Sequence, residues 1–210
     1  MNLTKSLQEY FNELSSSSPT PGGGNVAAFC GALSSSLGTM VCNLTIGKKK
    51  YADVEQEMIS MKESLVRYQN EFLNLAQKDN ESFDRVMEAF KLPKETDAEK
   101  EERINKIEQA TIGAAEVPSE VMKKCYDLIP ILKTISDKGN KNSLSDAGVA
   151  IALVRTSTLG AYLNVLINCG SLNNQTIAEE MRKRANIIFE EVERSTTQIL
   201  GSITKSFLPL

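Results

Sequence analysis

The chain has 210 residues, of which 41% are hydrophobic and 24% charged, and its formal net charge is -3. This length suits one domain with a real hydrophobic core, and the lack of a basic excess argues against nucleic acid as a partner. The chain contains no histidine, which excludes a Ser-His-Asp or Cys-His triad within one chain and leaves proton transfer to other side chains.

The N-terminal part of the chain predicts two helices joined by a glycine loop. The first helix runs from Lys5 to about Leu14, and its start lacks the apolar block of a signal peptide. Asn25 is predicted to cap the second helix, which reaches Ile46 and carries small residues at steps of three and four. Such a ridge fits a bundle centre or a subunit interface better than a membrane span, because three consecutive serines interrupt it.

Two features flank this second helix. Free backbone N-H groups at its start could hold an anion, although a flexible turn is the alternative; the loop residues are Gly22, Gly23 and Gly24. A cation cluster follows the end of the helix and consists of Lys48, Lys49 and Lys50. These lysines either complete the helix dipole or bind a carboxylate-rich tail.

The third predicted helix, from about Asp53 to Lys91, carries an interrupted apolar stripe. Its apolar residues recur at steps of four and three, which keeps one helix face toward a core. The stripe meets Asp79 and Ser82, and then resumes at Val86 and Phe90. A carboxylate on a buried face is costly unless it is paired or used, so Asp79 is either a structural partner or a functional group.

The next segment is charged from Thr96 to Thr111, with Asp97 as the predicted cap. Pro118 suits the first turn of a following helix that reaches about Lys138, and Pro130 predicts a kink or break within it.

Ser145 is predicted to cap an almost wholly apolar helix, Asp146 to Cys169, and a final amphipathic helix runs from about Thr176 to Thr204. The polar candidates around the apolar helix are Asn140, Asn142, Ser145, Asp146, Asn164 and Asn168. Buried amides need partners, which are either protein groups or a ligand.

Taken together, these elements predict an all-α fold: one domain over residues 1–210, a helical bundle with two long buried central helices that forms oligomers. The four cysteines are far apart in the sequence, which argues against a zinc site or a disulfide framework and suits a reducing cytoplasm.

Five segments carry a resemblance to a known family. In chain order they read P-T-P-G-G-G-N-V-A-A, N-L-T-I-G-K-K-K-Y, D-N-E-S-F-D-R-V-M-E-A-F-K-L-P-K, G-N-K-N-S-L-S-D-A-G-V-A and G-A-Y-L-N-V-L-I-N. They resemble the formiminotetrahydrofolate cyclodeaminase and methenyltetrahydrofolate cyclohydrolase family over nearly the whole chain. The family pattern usually has serine where this chain has Asn25.

The resemblance implies one-carbon chemistry on a tetrahydrofolate by a homodimer or dimer of dimers. It implies that Asp79 is the catalytic acid and base, and that Asp146 is either a pterin ligand or a second catalytic carboxylate. The pterin and its bridge are assigned to Asn140, Asn142, Asp146, Asn164 and Asn168, with Ser82 and Ser145 beside them. The glycine loop with Asn25 and the lysine cluster are assigned to the glutamate end of the folate, which polyglutamylation would lengthen.

The reaction expected first is conversion of 5-formimino-tetrahydrofolate to 5,10-methenyl-tetrahydrofolate and ammonia. Hydrolysis of the methenyl compound to 10-formyl-tetrahydrofolate is the alternative, and a non-catalytic folate-binding scaffold is the second alternative. Neither reaction is expected to need a metal or an organic cofactor, because positioning within one substrate supplies much of the rate.

Overall fold

The computed structural model describes residues 6–208, which form six α-helices and, within that range, no strand. The helices are α1 (Leu7–Leu14), α2 (Gly23–Thr45), α3 (Glu55–Phe90), α4 (Asp97–Lys138), α5 (Leu144–Gly170) and α6 (Gln175–Phe207). Short 3-10 turns, Lys49–Val54 and Lys141–Ser143, precede α3 and α5. The all-α prediction is confirmed, while Lys5 lies outside the described residues.

The start of α2 differs from the prediction. Gly22 is the N-cap and supplies no side-chain hydrogen bond, and Asn25 lies inside the first turn of the helix. The prediction that Asn25 caps α2 is therefore wrong. Its side chain is instead fully buried between helices, which only the tertiary fold reveals.

A single long helix, α4, replaces the predicted charged stretch and separate helix. Thr96 caps it in a reciprocal arrangement with Glu99, so Asp97 is not the cap. Pro118 and Pro130 both lie inside the helix, so neither the predicted start nor a break occurs.

Pro118 has no N-H for the carbonyl of Ala114, four residues earlier. The Asn168 side chain of α5 donates to that carbonyl at 3.2 Å. An amide from a neighbouring helix thus supplies the hydrogen bond that the proline removes.

Other boundaries shift by one to three residues. A 3-10 turn occupies the predicted start of α3, and α5 begins at Leu144 with Ser143 at its N-cap, so Ser145 does not cap it. Asn174 caps α6 through a bond from the Ile177 N-H. On α3 the buried stripe ends at Ala89, because Phe90 is 48% exposed.

Successive long helices, α2 to α6, pack antiparallel to one another. Along α2, Gly24, Gly31 and Gly38 face Asp79, Phe72 and Leu65 of α3, in reverse order. Helix α5 also runs antiparallel to α2, because Ser34 donates to the Ala150 carbonyl and Ser157 donates to the Ala27 carbonyl.

The predicted small-residue ridge on α2 lies at the centre of the bundle. A Cβ on Gly31 would lie 2.6 Å from the Phe72 ring, and one on Gly38 would lie 3.0 Å from Leu132 of α4. These close approaches leave no room for a side chain at either glycine.

Helices α3 and α4 extend beyond the rest of the bundle as a two-helix arm, residues 84–108. Asp79 lies beside the first turn of α2, and α3 continues 11 residues further, to Phe90, which is about 16 Å at the rise of an α-helix. Arg103 of α4 donates to the Phe90 carbonyl and lies over its ring. The arm is therefore closed at its tip.

An apolar face remains exposed on α2 and α5. It comprises Leu33, Met40 and Leu44 of α2 and Val149, Leu159, Leu163 and Ile167 of α5, with Ile167 71% exposed. Both segments, Gly23–Thr45 and Lys141–Gly170, are long and apolar enough to cross a membrane, a test that buried core helices also pass. Monomeric soluble proteins rarely leave a face of this kind uncovered.

Candidate functional site

The Asp79 carboxyl group lies against the first turn of α2. A Cβ on Gly24 would lie 2.7 Å from the Asp79 Cγ and 2.9 Å from its Oδ2, so only glycine allows the helix backbone to approach this closely. The first intrahelical bond of α2 runs from the Val26 N-H to the Gly22 carbonyl. The N-H groups of Gly23, Gly24 and Asn25 therefore have no partner within the helix.

Burial raises the pKa of Asp79 to about 6, and the backbone N-H of Asn25 offsets part of this increase. Within residues 6–208, Asp79 forms no ion pair. A carboxyl group with this pKa is mostly ionised at pH 7 and still close enough to neutrality to exchange protons. The interruption of the apolar stripe therefore corresponds to a perturbed carboxyl group rather than to a salt bridge with a described residue.

The Asn25 side chain connects three helices beside Asp79. Its Oδ1 accepts from the Tyr10 hydroxyl of α1 at 2.9 Å, and its Nδ2 donates to the Ala76 carbonyl at 2.7 Å and to Asn80 Oδ1 at 3.2 Å. Both polar atoms are satisfied by the protein, so only the backbone of Asn25 faces the site. Sequence reasoning missed Tyr10 and Asn80, because neither interrupts a pattern.

Two other predicted ligands are also used within the protein. Ser82 is 2% exposed and donates to the Asp79 backbone carbonyl at 2.8 Å. Asn168 donates to Ala114 and to the Asn164 carbonyl. These side chains stabilise the helices around the site.

Asn164 lies at the glycine loop. Its Nδ2 donates to the Gly160 carbonyl and would lie 3.5 Å from a Cβ on Gly23. Asn164 is half-buried, and no described residue donates to its Oδ1. The structure therefore brings together Asp79, Asn164 and the backbone of Gly23 and Gly24.

The remaining predicted residues lie at the opposite end of α2. Asn140 donates to the Leu44 carbonyl and accepts from the Asn142 N-H, and its own N-H donates to Thr45, so it joins the end of α2 to the turn before α5. The side chains that remain available there are exposed or half-buried: Lys48, Lys49, Lys50, Asn142, Ser145 and Asp146.

The two groups of residues are far apart within one chain. Helix α2 has 23 residues, and at the rise of an α-helix its ends are about 34 Å apart. Asp79 lies at Gly24, whereas the bond from Ser34 to the Ala150 carbonyl places Asp146 near Gly38, about 21 Å further along α2 at the rise of an α-helix. One protomer therefore does not unite the predicted residues in one site.

A surface groove lies away from both groups of residues. It has a volume of about 840 Å³, lies between α4 and α6, and includes neither Asp79 nor Asp146. Across residues 6–208, no group of three acidic, histidine or cysteine side chains is arranged to hold a metal ion.

Comparison with known proteins identifies the family. Residues 6–187 match the family model described as formiminotransferase-cyclodeaminase. The chain belongs to this family. It is 39% identical over 199 residues to a methenyltetrahydrofolate cyclohydrolase of Methylorubrum extorquens, an alignment that covers 95% of this chain and 96% of the relative.

Two further members of the formiminotransferase-cyclodeaminase family extend this comparison. The chain is 30% identical to the formimidoyltransferase-cyclodeaminase of Gallus gallus, covering 97% of this chain but 38% of the relative. A crystal structure of formiminotetrahydrofolate cyclodeaminase from Thermotoga maritima matches with a TM-score of 0.83 and 31% identity, covering 96% of this chain and 98% of that chain. The predicted family and the prediction of an enzyme are confirmed, and the family is one of folate one-carbon cyclodeaminases and cyclohydrolases.

Proposed function

We propose that this protein is a methenyltetrahydrofolate cyclohydrolase in which Asp79 is the general base. The observation that carries the proposal is the half-buried Asp79 carboxyl group, whose pKa burial raises to about 6, against the N-H groups of the first turn of α2. The reaction is chosen over deamination because the relative that is 39% identical, and that is matched over 96% of its length, bears that name. The chemistry uses water and the folate as reactants.

In this reaction, water attacks the methenyl carbon between N5 and N10, and the Asp79 carboxylate accepts the proton of the water. The resulting hydroxyl adduct collapses to the formyl group on N10 as the bond from N5 to carbon breaks. Asp79 returns its proton to N5, and the hydroxyl proton passes to solvent. An ionised carboxylate also stabilises the cationic substrate, since few other charges are nearby to screen it.

Cyclodeamination, the reaction expected first from the sequence, is the second candidate. The Thermotoga maritima structure that shares this fold bears that name. Here N10 attacks the carbon of the protonated formimino group, Asp79 takes the N10 proton and passes it to the resulting amino group, and the amino group leaves as ammonia. One carboxyl group that cycles between its two forms serves both reactions.

The test measures the absorbance of the methenyl compound with each folate. A fall with the methenyl substrate supports hydrolysis, and a rise with the formimino substrate supports deamination. Asp79→Asn should abolish turnover while folate affinity stays within about tenfold, because the amide keeps the shape and cannot accept a proton. Asp84→Asn, at an exposed position on the same helix, is the matched control. Folate binding without turnover in the parent protein would favour the scaffold alternative.

We also propose that the protein is a homodimer formed through the apolar face of α2 and α5. A two-fold axis perpendicular to the bundle reverses the direction of every helix in the partner. The Asp79 end of one protomer would then lie beside the Asp146 end of the other. The lysine cluster of the partner would meet the glutamate end of the folate. This dimer would bring Asp79 of one protomer close to Asp146 of the other, which one protomer alone does not do. The exposed apolar side chains of α2 and α5 support an interface at this face.

Mixed dimers test this arrangement. Asp79→Asn and Asp146→Asn proteins, each measured alone, should both be impaired. After subunit exchange half of the dimers are mixed, and each has one intact site of two, so activity should return to about a quarter of the parent value. No recovery would mean that each site lies within one protomer, and a monomeric mass in solution would refute the dimer.

A further inference from the structure

We propose that Tyr10 and Asn25 form a positioning pair that holds the Asp79 turn of α3 against the first turn of α2. The inference rests on the proposed function, in which Asp79 exchanges the proton. Neither side chain contacts the reacting atoms in this view. Their role is to fix where the carboxyl group lies relative to the α2 backbone.

The hydrogen bonds determine the orientation of the Asn25 amide. The Ala76 carbonyl can only accept, so Nδ2 must face it, at 2.7 Å. Oδ1 then faces Tyr10, whose hydroxyl must be the donor. Burial raises the pKa of Tyr10, which keeps the proton on that hydroxyl.

This amide is attached to the part of α3 that carries Asp79. Ala76 and Asn80, its two acceptors, bracket the turn that contains the catalytic carboxylate. The backbone N-H of Asn25 faces the Asp79 carboxylate. One residue of α2 thus fixes both the α3 backbone and the charged group.

Tyr10 connects α1 to this arrangement. It is 4% exposed, and its ring packs against Phe29 of α2 with centroids 5.4 Å apart. Removing only the hydroxyl keeps this packing and leaves Asn25 Oδ1 buried without a donor. The amide is then free to turn away from Ala76, and a small misplacement of a catalytic group is costly to the rate.

The experiment compares Tyr10→Phe with Tyr162→Phe. Tyr162 donates to Asn186 Oδ1 between α5 and α6, so the control removes the same kind of hydrogen bond away from Asp79. We expect Tyr10→Phe to lower kcat about tenfold with KM within about twofold, and the control to retain parent kinetics. In an Asn25→Ala background, Tyr10→Phe should have little further effect, because the acceptor of the Tyr10 hydroxyl is already absent.

A second measurement does not depend on activity. The carboxyl carbon of Asp79 is titrated by NMR in the parent, Tyr10→Phe and Tyr162→Phe proteins. Within residues 6–208, two factors shift the pKa of Asp79: burial raises it and the Asn25 N-H lowers it. No charged side chain in that range contributes to the shift. Loosening Asn25 should therefore raise the titration midpoint in Tyr10→Phe and leave it unchanged in Tyr162→Phe.

The outcomes separate the two proposals. If the parent turns over neither folate, the proposed function fails, and the titration alone decides the positioning pair. The pair is refuted if Tyr10→Phe matches Tyr162→Phe in both kcat and midpoint, even if its stability is lower. A raised KM with an unchanged kcat would also refute it, because that pattern indicates a contact with substrate.

Discussion

Replacement of Asp79 by asparagine should stabilise the fold at pH 7 while removing activity. Burial raises the pKa of Asp79 to about 6, roughly two pH units above an ordinary aspartate, and each unit corresponds to about 1.4 kcal/mol. The ionised form is therefore disfavoured in the folded protein. At pH 7 it lowers the free energy of unfolding by about 3 kcal/mol.

The effect of Asp79 on the free energy of unfolding depends on pH, because the folded and unfolded states bind its proton with different affinities. Because the folded-state pKa is the higher one, the folded state binds the proton more tightly than the unfolded state. The contribution of protonated Asp79 to the free energy of unfolding is fully present below about pH 4 and is lost as the pH rises through about 6. The advantage of Asp79→Asn should thus decrease from about 3 kcal/mol at pH 7 to about 1.5 kcal/mol at pH 5.

Urea unfolding at both pH values, at one fixed protein concentration, measures this difference. Any effect of the asparagine amide that is independent of pH cancels when the stability difference between variant and parent at pH 7 is compared with that at pH 5. Asp84→Asn provides the control, since Asp84 is exposed on the same helix. An equal change at pH 7 and pH 5, or a loss of stability that grows with pH, would refute the argument from burial.

Four further results are expected. The kcat/KM of the parent should fall about tenfold per pH unit below about pH 6, because the base must be ionised; a flat profile to pH 5 would exclude Asp79 as that base. Gly24→Ala should lower kcat at least about tenfold by displacing the carboxyl group, whereas Gly113→Ala, where a Cβ meets nothing within 4 Å, should retain activity. Gly38→Leu should cost about 1 to 3 kcal/mol in urea unfolding, and an unchanged midpoint would contradict the packing of α2. Replacing Lys48–Lys50 by alanine should raise KM for polyglutamylated folate more than for monoglutamate, with salt narrowing the difference in the parent; an equal rise would indicate a role only at the helix end.

Periodicity predicted the features that depend on one helix at a time. Asp79 was visible because a carboxylate interrupts an apolar stripe, and the α2 ridge was visible because small residues recur at helical spacing. Both are consequences of which residues share a face. The structure confirms the central position of α2 and the perturbed environment of Asp79.

Features that depend on contacts between helices could not be predicted from the sequence. Asn25 looks like a cap in the sequence, but its amide finds partners on α3, more than 50 residues away. Pro118 looks like a helix start, but Asn168 replaces the hydrogen bond that the proline removes. The register between helices also separates Asp79 from Asp146 along α2, and no local pattern encodes this.

The arm of α3 and α4 has a consequence for motion. Over residues 84–108, Ala89 is the only described residue that is buried, so little apolar area holds this hairpin together. Regions with few buried contacts open at a lower free energy than the core. Amide hydrogens of the arm should therefore exchange with deuterium well before those of α2 and α5. Since α3 is continuous from the arm to Asp79, opening that spread beyond Asn80 would reach the site, and the Asn25 contact with the α3 backbone marks where such opening should stop.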